Sequence, residues 1–130
     1  MELNDKLLNE LAAKACASER RRMNFDLRTS ANDQSQRMLN ALEPDTVLPI
    51  HRHMKSTEVV IVLRGRMDEI FYDDHGNEVA RHHLDPKQGV FGLSIPLGQW
   101  HGIEVFEPTV ILEAKDGAYE PLLPEDILSI

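Results

Sequence analysis

The chain has 130 residues, 42% hydrophobic and 28% charged, the composition of one folded domain; this excludes disorder along most of the length. A net charge of −8, from 14 Lys and Arg against 22 Asp and Glu, excludes nucleic acid as the expected partner, because that affinity comes from cations neutralising phosphates. The longest apolar run, Val59 to Leu63, is too short to cross a bilayer, no basic start and apolar block mark a signal peptide, and the single cysteine, Cys16, has no internal partner; a cytoplasmic protein without membrane contact is expected.

In chain order, Leu3, Leu7, Leu8, Leu11, Ala12, Ala15 and Cys16 recur at steps of three and four, which predicts an amphipathic helix over 2–17 with Cys16 as a small buried hydrophobe. Arg20-Arg21-Arg22 reads as a solvated helix end or loop, with an anion contact as the alternative. Met23, Phe25 and Leu27 alternate, predicting a first edge strand over 20–27. Ser30 to Asp33 is a turn, and Gln34 to Leu42 suits a short helix or a loop into the next strand. From Thr46 onward short strands alternate with turn signals, the mark of an all-β sandwich or barrel. Strands are predicted over 47–53, 58–63, 66–72, 78–84, 90–95, 101–106 and 109–115. Asp73 to Asn77 forms a hairpin tip, since Asp, Asn and Gly tolerate the backbone that tight turns require. The organisation expected is a helix over 1–19, a barrel over 20–120 and a tail over 121–130 packed on the barrel.

Alternate side chains of a strand share a face, so His51 and His53 project together while Arg52 faces away. Glu58 begins the next strand, and His101 follows the turn Pro96 to Gln99. Three imidazoles and one carboxylate suit one divalent transition ion, iron, manganese, nickel, cobalt or zinc, with positions left open for water or substrate. A closed structural zinc site would use cysteines that this chain lacks. Glu113 lies on a strand and, if it faces inward, is a candidate acid/base; Gln99 and Trp100 border the site as candidate pocket residues, Trp100 through its ring on a sugar. His82 and His83 beside the hairpin, and His75 in it, are expected at the surface.

His51-X-His53-(X4)-Glu58-(X6)-Gly65 resembles the first cupin motif, and Pro96-X-Gly98-X-X-His101 resembles the core of the second. The resemblance implies a small antiparallel jelly-roll barrel holding a metal by His51, His53, Glu58 and His101. The first motif's opening glycine is Asp45 here, the second motif's opening glycine is displaced to Gly89, and its closing asparagine position is Val105. Further stretches, Gln36 to Leu42, Phe71-Tyr72-Asp73-Asp74 with Gly76, Trp100-His101 and Glu113 to Tyr119, are similar to the WbuC-type cupin fold metalloproteins, a group associated with bacterial surface-polysaccharide gene clusters. The resemblance implies a homodimer and leaves the substrate open; the reading expected is a metal-dependent enzyme acting on a small oxygen-rich molecule such as a sugar or sugar acid. The alternatives are a non-catalytic ligand-binding or sensing module and a metal-free epimerase-like cupin.

Overall fold

The computed structural model describes residues 1–128. Helix α1 (Asp5–Ala17) starts where Asn4 accepts the Leu7 amide on its side chain, satisfying one of the free N–H groups of the first turn. Leu8, Leu11 and Ala15 form its buried line. They pack on the outer face of a sheet, against Leu39, Ala41 and Val110. Cys16, one position further round, is exposed; the 100° turn per residue carries it off the line that meets the sheet, so the expected burial is corrected.

Eight strands follow: β1 (Arg22–Asp26), β2 (Ser35–Leu42), β3 (Glu58–Arg64), β4 (Met67–Tyr72), β5 (Glu78–Leu84), β6 (Gly92–Ile95), β7 (Trp100–Val105) and β8 (Thr109–Asp116). They form two antiparallel sheets, of order β1-β2-β8-β3-β6 and β5-β4-β7, closed over a shared interior. Leu42, Val60, Val62, Met67, Leu84, Ile95, Val105 and Ile111 fill that interior. At about 25 cal/mol per Å² of apolar surface, such side chains each contribute about 1.5–3 kcal/mol.

Three departures from the sequence reading have physical causes. Gln34 to Leu42 is neither helix nor loop but strand β2, paired on both sides. Leu39 and Ala41 face the helix while Asn40 and Leu42 face the barrel, so both faces are covered and no alternation shows. The segment 47–53 is not a regular strand: only His51 makes a bridge, and Pro49 within it has no N–H to give a ladder. The arginine run is neither solvated throughout nor aimed at a ligand. Arg21, at φ 59°, pairs with Asp45 and Glu43 and donates to the Cys16 carbonyl, and Arg22 donates to the Val47 carbonyl.

Gly65 joins β3 to β4 at φ 93°, a conformation that favours glycine. A Cβ there would lie 2.4 Å from Thr109 Oγ1 and 2.5 Å from the Pro108 carbonyl, so the turn leaves room for no side chain. Asp73 caps the β4–β5 hairpin by accepting the amides of His75 and Asn77. After β8 the tail turns back beside the His51 segment, Arg52 N donating to Asp126 O and Leu128 N to Ile50 O. The final tail residues, 129–130, lie outside the described residues.

Candidate metal centre

The two motifs are stitched together by main-chain bonds. His51 and His101 exchange both N–H···O bonds, at 3.0 and 2.9 Å, and Gly98 N donates to the His53 carbonyl at 2.8 Å. Residues 51–53 thus run beside the start of β7 and keep a strand's alternation without being in a sheet. His51, His53 and His101 turn inward, with ring centroids 4.3 to 5.6 Å apart. Arg52 and Trp100 turn outward and stack, the guanidinium carbon 4.4 Å from the ring.

One ligand atom from each of the three histidines lies within 4.8 Å of the others. His51 Nδ1 and His101 Nδ1 stand 3.0 and 2.9 Å from the carbonyls of Pro49 and Gln99. A carbonyl only accepts, so each Nδ1 carries the proton and leaves Nε2 with its lone pair, the tautomer a metal ligand needs. Burial pushes His51 down to about 4, the charge of His101 adding to it, and burial also lowers His101. Both shifts favour the neutral ring.

Glu58, at the first position of β3, is buried; its Oε1 lies 3.3 Å from His53 Nε2 and 3.3 Å from Lys115 Nζ. Burial alone would raise this carboxyl, but His53 and Lys115 outweigh it and hold it ionised. His53 Nε2, His101 Nε2 and Glu58 Oε1 are all buried without a well-formed hydrogen bond, Glu58 Oε1 keeping only its 3.3 Å ion-pair contacts with His53 and Lys115. Buried polar atoms are ordinarily paired, and leaving one unpaired costs about 1–3 kcal/mol. Lone pairs concentrated on two imidazoles and a carboxylate fit a divalent ion of the first transition row.

Glu113, on β8, is half-buried on the inward face, paired in register with Val60 and Met38. Burial and then the Glu58 charge raise it to about 7. Gln99 donates its side-chain amide to the carbonyls of Tyr72 and Trp100, and Trp100 is buried, its N–H on Asp74 at 2.9 Å. One face of its ring is already covered by Arg52, which itself pairs with Asp126. His82 and His83 are exposed, and His83 Nδ1 sits 2.8 Å from Asp68 on the outer face of β4.

Sequence reasoning missed Glu69. It is 2% exposed, sits on the inward face of β4 between Met67 and Phe71, and its Oε2 has no partner. Burial, then Glu58 and Glu113, raise it well above its usual range. The available signal was period two: in Met67-Asp68-Glu69-Ile70-Phe71 the inward positions are 67, 69 and 71. Asn40 and Lys115 are two further inward polar groups it overlooked.

Two sheets closed over an interior metal-ligand cluster are the cupin fold, and solved structures bear this out. The capsular polysaccharide assembling protein CapF from Staphylococcus aureus aligns with a TM-score of 0.67 at 19% identity, over 85% of this chain and 32% of that one. A cupin 2 domain-containing protein from Halorhodospira halophila aligns at 0.61 and 21%, over 79% and 70%. KdgF from Halomonas sp. aligns at 0.59 and 13%, over 76% and 81%. The chain spans about a third of the length of CapF. By sequence it belongs to the family described as a domain of unknown function, DUF6016, whose pattern matches residues 3–84. No curated protein matches it.

Proposed function

We propose that the chain is a metal-dependent cupin enzyme of the WbuC type, acting on a small oxygen-rich molecule, a sugar or sugar acid, that coordinates one divalent transition ion held by His51, His53, Glu58 and His101. The observation that carries this reading is the convergence of one ligand atom from each of His51, His53 and His101 within 4.8 Å, with Glu58 Oε1 3.3 Å from His53 Nε2 and the Nδ1 of His51 tied outward. The ion, when bound, supplies a Lewis acid that polarises a carbonyl or enediol or acidifies water.

The chain's own residues supply the rest. The Pro49 and Gln99 carbonyls fix two imidazoles in the ligating tautomer, and Lys115 keeps Glu58 ionised. Glu113, raised to about 7, and Glu69, raised by burial, are both shifted toward the protonated carboxyl and serve as the acid/base pair of the interior. Similarity to CapF, a capsular polysaccharide assembling protein, supports a saccharide-related substrate. Cytoplasmic placement belongs to the same proposal, supported by the lone Cys16. So does a homodimer, supported by Val59, Ile61 and Leu63 exposed along the outer face of β3 near Phe91.

Elemental analysis of purified protein tests the reading: one equivalent of a transition metal is expected, lost in His51→Ala and His101→Ala. Protein without stoichiometric metal, or variants that keep it, would refute the metal centre; ligand binding without turnover would favour a sensing module over an enzyme.

A further inference from the structure

A narrow pocket, open to solvent and with room for little more than one small polar group, lies against the inner end of β8 and is lined by Arg28, Gln36, Arg37, Glu113, Lys115 and Tyr119 among others. Three cations on one small pocket are unexpected in a chain of net charge −8. The arginines are fixed before any ligand arrives. Arg28 is clamped on Asp26 through Nε at 3.0 Å and Nη2 at 2.8 Å, with Tyr119's ring 5.6 Å from its guanidinium carbon. Arg37 donates through Nη2 to Asp33 at 3.0 Å and to the Leu27 carbonyl at 3.2 Å. Asp33 is itself anchored by the amides of Thr29 and Ser35. Among the described residues neither Nη1 group donates to anything, so each fork keeps a donor to spare, its ordering cost already met.

The pocket adjoins the metal centre through its third cation. Lys115 lies 3.3 Å from Glu58 Oε1, which lies 3.3 Å from His53 Nε2. The charges local to the pocket balance without an ion: Arg28, Arg37 and Lys115 face Asp26, Asp33 and Glu58. A divalent ion on the histidines adds positive charge beside this paired set, which favours an anionic ligand spanning ion and pocket.

Resting on the metal-centre reading above, we infer that this pocket is an anion subsite, in which Arg28 and Arg37 take the carboxylate or phosphate of a substrate whose other end reaches the ion. Titration calorimetry on the full, Mn²⁺-loaded chain with D-glucuronate, D-glucose 6-phosphate and D-glucose tests it. One of the two anionic sugars is expected to bind about tenfold more tightly than glucose, glucuronate if the group is a carboxylate and the phosphate ester if it is a phosphate. Arg28→Met abolishes that preference and keeps the metal content; Arg37→Met, its fold checked by circular dichroism, gives the same result and stands in if Arg28→Met folds poorly. Glucose binding as tightly as both anions, no binding by any of the three, or a preference that survives both substitutions overturns the subsite. Metal analysis of the same samples keeps the two readings apart. Full occupancy without anion preference refutes the subsite alone; no retained metal refutes the centre, and the arginine comparison is then read on the metal-free protein.

Discussion

The two ends of the barrel interior follow opposite rules. At one end Leu42, Val62, Met67, Leu84 and Val105 pack as an ordinary apolar core. Toward the other, the same strands present Asn40, Glu58, Glu69, His101 and Glu113. Along β3 the inward sequence is Glu58, Val60, Val62; along β7 it is His101, Ile103, Val105. All the unpartnered buried side-chain atoms found among the described residues, on Asn40, His53, Glu58, Glu69 and His101, belong to the polar end. One end therefore stabilises the fold, and the other draws on that stability to hold groups no core would choose.

Substitutions at the two ends should consequently differ in sign. Leu84→Ala, at a fully buried position, is expected to cost about 2–5 kcal/mol in denaturant unfolding while metal per folded chain stays constant. Glu69→Leu should instead stabilise the chelator-stripped protein, by about 1–3 kcal/mol, because it removes an unpaired buried carboxyl. A destabilised Glu69→Leu protein would break the comparison.

The same variant has a pH signature. Glu69 is raised above its ordinary 4.5, so the folded chain binds a proton that the unfolded chain has lost. Its contribution is complete below the unfolded value and declines as pH rises through the folded one. The advantage of Glu69→Leu over wild type should therefore grow as pH rises above the ordinary carboxyl range, whereas a constant difference would mean that Glu69 is not raised in the fold. The lowered His51 contributes with the opposite slope in both proteins and cancels.

On the outside the effects shrink. Arg52→Ala removes a stacked and ion-paired side chain between Trp100 and Asp126 and should cost about 0.5–2 kcal/mol. Glu120→Ala breaks an exposed pair with Lys55 and should change stability by at most about 0.5 kcal/mol.

What the sequence made legible follows the same division. β1 announced itself by the alternation of Met23, Phe25 and Leu27, and β3 by a short apolar run, Val59 to Leu63, closed by the turn at Gly65. β2 did not, since a helix covers one of its faces and the barrel the other, and Met38, Leu39 and Leu42 happen to fall at helical spacing. The histidines and Glu58 were readable because they are specific residue types at strand spacing, and the fold brings them together. Glu69 was not: beside Asp68 it looks like half of a surface acidic pair, and only the register with β7 turns it inward. Arg28 and Arg37 were equally silent, because their pocket forms from segments joined only by the pairing of β2 with β8.

X-ray absorption at the metal edge of the purified protein tests the central claim most directly. The account expects one ion per chain with three imidazole nitrogens and a carboxylate oxygen at about 2.0–2.2 Å and no sulfur. An absent edge, sulfur scattering, or an unchanged spectrum in the His51→Ala, His101→Ala double variant would contradict it.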